Sequence, residues 1–152
     1  MHNLPGKLTV DELAILFEGR TRFVERLADI ANPLDAAREL LRSLPEDEQI
    51  EALNAHPRIG EKTLSTTSAR EQGGDEDPAA LAELIRLNRA YEEKIGFRFV
   101  VFVNQRSKAQ ILRVLKQRLA RTRAEELETA LDELVAIAED RHRRHLSATD
   151  LE

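Results

Sequence analysis

The chain has 152 residues, a net charge of −5 and no cysteine, which is enough sequence for one domain with its own core. The missing thiols exclude a disulfide framework, a thiolate metal site and a cysteine nucleophile. The acidic balance, 28 Asp and Glu against 23 Lys and Arg, speaks against a nucleic-acid binder, and no apolar run approaches the ~20 residues of a membrane span.

The elements follow in order. Thr9-Val10-Asp11-Glu12 is a capping box, in which hydroxyl and carboxylate each satisfy an orphan amide. It opens a helix through Leu13, Leu16 and Phe17 that Gly19 is expected to end. Phe23, Val24, Leu27 and Ile30 recur at helical spacing. Asn32-Pro33 reads as an N-cap followed by proline in the first turn, with Ala37, Leu40, Leu41 and Leu44 inward. After Ser43 and Pro45 the chain restarts, and Ile50 and Leu53 carry the next stripe. Asp77-Pro78 opens a helix with Leu81, Leu84, Ile85 and Tyr91 near one face and Gly96 at its end. Ser107 caps a helix through Ile111, Leu112, Leu115 and Leu119. A further capping box, Thr122 to Glu125, opens a long helix through Leu127, Leu131, Leu134 and Ala138 to about Leu146. The expected fold is all-α, a compact bundle of about seven or eight helices in a single domain spanning 1–152, with residues 1–8 and 147–152 flexible.

Two stretches break the helical pattern. Residues 54–72, NAHPRIGEKTLSTTSAREQ, hold few apolar side chains. Residues 96–104, GFRFVVFVN, are β-branched and aromatic, yet no other segment offers a strand to pair with them. Residues 97–104 therefore read as an extended, buried segment between helices, whose amides and carbonyls need other partners; a bound ligand is one candidate. This region also concentrates the rings. The whole chain has five Phe, one Tyr and no Trp, and Tyr91, Phe97, Phe99 and Phe102 fall within it or just before it.

Of the four histidines, His2 is near the start, and His142 and His145 lie among Arg141, Arg143 and Arg144. That last group reads as a basic helix end complementing the macrodipole; three arginines beside the histidines oppose a metal. His56 precedes Pro57, which restricts it to extended geometry. Two readings stand for it: a cap on the preceding helix, or a general acid or base. Ser68-Ala69-Arg70-Glu71 has the form of a capping box but opens onto Gln72-Gly73-Gly74. It is either a cap or a polar turn aimed into a cavity.

Taken together, His56-Pro57-Arg58-Ile59-Gly60, then Ser68-x-x-Glu71-Gln72, then Asn88-x-x-Tyr91-x-x-Lys94-x-Gly96-Phe97-x-Phe99-Val100-Val101-Phe102-Val103-Asn104 resemble one known family, 2-oxo-4-hydroxy-4-carboxy-5-ureidoimidazoline (OHCU) decarboxylase. The resemblance runs from about Thr9 to Leu146. It implies an all-helical homodimer without metal or organic cofactor, which converts OHCU to (S)-allantoin in urate breakdown. It also implies that His56 is the catalytic acid and Glu71 the second catalytic residue. Pro57, Ser68, Ala69, Arg70, Glu71 and Gln72 are then expected to contact substrate, and Phe99, Val100, Val101, Phe102 and Val103 to meet the ring through their backbone. A small-molecule substrate, no nucleic acid, no membrane and a cytoplasmic location go with that reading, the last because MHNLPGKLTV lacks an apolar signal core. Two alternatives remain: a ureide- or purine-binding protein on the same scaffold, and a ureide hydrolase in which His56 activates water.

Overall fold

The computed structural model describes residues 6–58 and 78–150, with side chains up to residue 144. Among them are seven helices and no strand: α1 (Val10–Phe17), α2 (Arg22–Leu27), α3 (Pro33–Ser43), α4 (Glu46–Asn54), α5 (Pro78–Ile95), α6 (Lys108–Leu119) and α7 (Arg123–Asp150). α7 is the spine, against which α1, α3 and α4 pack; α2 lies against α1, α3 and α4, and α5 pairs with α6.

Local chemistry sets most of the boundaries. The Thr9 box closes as expected, with Glu12 N–H to Thr9 Oγ1 at 3.1 Å and Thr9 N–H to Glu12 Oε1 at 2.9 Å. Ser107 forms the same reciprocal pair with Gln110, and Thr122 with Glu125. Gly96 ends α5 at φ +96°, a backbone region open to glycine at no steric cost.

Four boundary or face details differ from the sequence reading. Glu18, not Gly19, takes the left-handed position after α1 (φ +63°), and its carboxylate pairs with Arg141 of α7 at 3.0 Å. Asn32 does sit before α3, but at φ +51° and without a side-chain cap; its N–H donates instead to the Gly6 carbonyl at 2.6 Å. The inward face of α5 is Ala80, Leu84, Leu87, Asn88, Tyr91 and Ile95, which leaves Ile85 exposed. α7 continues past Leu146 to Asp150, so the arginines and histidines expected at its end lie one turn or more inside it.

A single core joins the helices, with Leu13, Phe17, Phe23, Leu27, Leu41, Leu53, Leu84, Leu115 and Leu134 fully buried. Each such side chain contributes about 1.5–3 kcal/mol by leaving water. The extended segment after Gly96 runs through this core, with Phe97, Phe99, Val100 and Val101 buried and Phe102 and Val103 partly so. The ring concentration is thereby explained: Tyr91 meets Phe97 and Phe99 edge to face, at 6.2 and 5.3 Å between centroids, and supports the segment from behind.

Candidate active site

His56 lies at the end of α4, where its N–H still donates to the Leu53 carbonyl at 3.2 Å and Pro57 follows. Three contacts anchor this corner. Arg98 Nη1 donates to the His56 carbonyl at 2.8 Å. Arg98 N–H donates to Asn54 Oδ1 at 3.0 Å. Arg58 grips Glu92 of α5 through Nε (2.6 Å) and Nη2 (3.0 Å), a bidentate geometry. The corner is thus tied both to the extended segment and to α5.

The imidazole itself is buried, 6% exposed, and its Nε2 has no hydrogen-bond partner among the described residues. Leaving a buried polar atom unsatisfied costs about 1–3 kcal/mol. Burial, and secondarily the positive charge of Arg141, push the His56 pKa down to about 3. The free protein therefore holds a neutral imidazole across the physiological range. Nε2 makes no capping bond to the last carbonyls of α4 among the described residues.

Arg141 is the residue that sequence reasoning missed. The sequence places it in a basic helix end complementing the macrodipole, yet it is only 4% exposed. Its guanidinium pairs with Glu18 and donates to the Ile15 and Leu16 carbonyls, both at 3.3 Å, at the negative end of α1. A signal existed: Leu134, Ala138 and Arg141 continue one stripe at spacings of four and three, so the arginine falls on the buried face.

The extended segment shows an edge-by-edge division. Successive residues of an extended chain turn their N–H and C=O groups to opposite edges. On one edge, protein side chains take the groups: Arg98 N–H goes to Asn54, the Val100 carbonyl accepts from Arg118 Nη1 at 2.7 Å, and Phe102 N–H goes to Glu133 Oε1 at 3.2 Å. Arg106 closes the end on the Phe102 and Val103 carbonyls. On the other edge, the backbone groups of Phe99 and Val101 have no hydrogen-bond partner among the described residues. A second polar cluster lies behind the segment. Arg118 and Glu126, 5% and 0% exposed, pair at 2.7 Å, and Tyr91 Oη donates to Glu126 Oε1 at 2.6 Å. Burial and that carboxylate raise the Tyr91 pKa, so the phenol keeps its proton.

The structure brings His56 and Pro57 to the start of the segment carrying Phe99, Val100, Val101, Phe102 and Val103. Ser68, Ala69, Arg70, Glu71 and Gln72 lie outside the described residues. Among the described residues no group of three or more His, Asp or Glu side chains is arranged to hold a metal ion, and no helix is long and apolar enough to cross a membrane.

Comparison with known proteins bears on this arrangement. The family model for OHCU decarboxylase matches residues 4–143. The OHCU decarboxylase of Halalkalicoccus jeotgali is 32% identical over 124 residues, covering 78% of this chain and 70% of that protein. The uric acid degradation bifunctional protein PucL of Bacillus subtilis is 29% identical over 150 residues, 91% of this chain but only 30% of that longer protein. A crystal structure of an OHCU decarboxylase in the presence of (S)-allantoin superimposes with a TM-score of 0.76 at 29% identity, covering 90% of this chain and 98% of that one.

Proposed function

Because the chain belongs to the OHCU decarboxylase family, we propose that it decarboxylates OHCU to (S)-allantoin in urate and purine breakdown, as a carboxy-lyase acting without a cofactor. The observation within the structure that carries this is the buried His56 imidazole, whose Nε2 has no hydrogen-bond partner among the described residues. A binding protein has no need to keep such a group dehydrated and neutral.

The chemistry fits a protein that supplies only protons and surroundings. The substrate carries a hydroxyl and a carboxylate on one ring carbon, beside a C=N bond. When the bond to CO2 breaks, its electron pair flows into that C=N, so the substrate is its own electron sink. The net change replaces CO2 with one proton. Neutral His56 takes the hydroxyl proton as that oxygen becomes a carbonyl, and the imidazolium then returns it to the adjacent ring carbon on one face, which sets the (S) configuration; the ring nitrogen that received the electron pair takes from solvent the one proton that replaces CO2. Because burial holds it neutral in the free protein, His56 enters the cycle as the proton acceptor and becomes a donor only after it has taken a proton. Arg141 supplies positive potential where negative charge moves from carboxylate to ring.

Glu71 is the positioning partner for the imidazole or the substrate hydroxyl, and Ser68, Ala69, Arg70 and Gln72 read the ureido and ring polar groups beside Pro57. The open edge of Phe99 and Val101 offers paired N–H and C=O groups to the ring, with Val100, Phe102 and Val103 completing the rail. The support for these assignments is the motif order and, for the rail, an edge without hydrogen-bond partners among the described residues. The unit is read as a single domain over 1–152 from its length, as a homodimer from the family resemblance and as cytoplasmic from the lack of an apolar signal core in MHNLPGKLTV; sedimentation and cell fractionation check the last two.

The test is to generate OHCU in situ from urate, add the protein and follow (S)-allantoin by circular dichroism. Rapid, one-handed product is expected. His56→Gln and Glu71→Ala should each lower kcat by roughly 10²–10⁴-fold while remaining folded. Racemic product appearing no faster than without protein would overturn the proposal, and hydrolysis without CO2 release would favour the ureide-hydrolase alternative.

A further inference from the structure

We propose that Arg118 is a positioning residue for the substrate rail. The proposal rests on the decarboxylase reading for its kinetic consequence, but not for its structural one. Arg118 extends the apolar stripe of Ile111 and Leu115 on α6, so a charged group stands where the helix pattern calls for a hydrophobe. Its partner Glu126 is buried on α7. A buried ion pair is a poor source of stability, because desolvation offsets the attraction and an apolar pair of similar volume often does as well. What an apolar pair cannot do is hold a backbone.

Arg118 does this with one planar group. Nε donates to Glu126 Oε1 at 2.7 Å, and Nη1 to the Val100 carbonyl at 2.7 Å. The guanidinium carbon stands 4.7 Å from the centroid of the Phe99 ring. One side chain thereby touches the backbone of one rail residue and the ring of the residue before it, and fixes both the rail's height and its rotation about its own axis. That rotation decides which way the open edge of Phe99 and Val101 faces. Glu126 is in turn held by Tyr91 Oη and by Arg121 Nη1, the latter at 2.9 Å and also bonded to Thr129, so the fork cannot swing. Lysine could keep the charge beside Glu126 but not the second hold, since it lacks the rigid fork.

The test compares the full-length wild type with Arg118→Lys, and with Arg118→Met/Glu126→Gln, which removes the charge pair while leaving Tyr91 and Arg121 a partner, in case the single variant folds poorly. Amide hydrogen exchange is read at Phe99 to Val103 and, as a control, in α1 and α3; kinetics are read with OHCU. Faster exchange confined to the rail, with kcat/KM lowered by roughly 10–10²-fold, mostly through KM because the rail meets substrate and transition state alike, is the expected result. Rail exchange equal to wild type, or a rise spread equally over α1 and α3, overturns the proposal. If the wild type does not turn over OHCU, the decarboxylase reading falls, and the exchange pattern alone still decides whether Arg118 holds the rail.

Discussion

The buried His56 ties catalysis to stability through pH. The imidazole titrates near 6.5 in an unfolded chain and at about 3 in the folded protein. Above pH 6.5 it is neutral in both states and contributes nothing. As pH falls below 6.5, the unfolded chain binds a proton that the folded protein refuses, so the unfolded state is favoured. The loss is about 1.4 kcal/mol per pH unit, about 2 kcal/mol by pH 5, and it saturates on the order of 5 kcal/mol near pH 3, where both states are protonated. Total stability of a domain this size is about 5–15 kcal/mol, so the effect is a large share of it. The groups acting on the ring are its apolar surroundings first and Arg141 second, with Glu18 partly screening that arginine. The assay is urea unfolding at pH 7.5, 6.5, 5.5 and 5.0 for wild type and His56→Gln, which cannot titrate. Carboxylate contributions are common to both and cancel in the difference. The wild type is expected to lose stability relative to the variant by about 2 kcal/mol over this range. Parallel pH curves would refute the buried, neutral imidazole and with it the base-first role.

Other expectations bear on different parts of the site. Arg141→Gln should raise the His56 pKa, read by NMR titration, but leave it below 6.5, because burial is the larger cause; a value unchanged from wild type would show that the arginine's field does not reach the ring. Gln105 ends the rail at φ +64° directly after Asn104 at φ +48°, two consecutive left-handed residues. Gln105→Gly should therefore stabilise the fold by about 0.5–1 kcal/mol in chemical denaturation; a loss would mean that the side chain makes a contribution outweighing its backbone strain. Leu134→Ala, at a fully buried position on the spine, should cost about 2–5 kcal/mol, and a cost under 1 kcal/mol would show that the surroundings collapse onto the gap. For kcat/KM, no acid limb from His56 is expected near pH 6.5; finding one there would place the free imidazole in a wetter site than the structure gives it.

The all-helical class, the capping boxes at Thr9 and Thr122, the cap at Ser107 and the end of α5 at Gly96 were legible in the chain because each depends on residues within four positions of one another. His56 was legible as a candidate for a related reason: proline after a helix end constrains it locally. The extended segment could be identified by its strand-like composition and its want of a partner strand, but not the way its backbone is satisfied. Its partners Asn54, Arg118 and Glu133 are contributed by α4, α6 and α7, from 18 to 44 positions away. Arg118, Glu126 and Arg141 sat on apolar stripes all along, yet a charge on a stripe reads as solvent-exposed until the facing helix is known. Helix formation is decided by neighbours in sequence. Whether a charged side chain is buried, paired and able to shift a histidine's pKa is decided by neighbours in space, and only the packing of α1 and α4 against α7, and of α6 against the rail, supplied those.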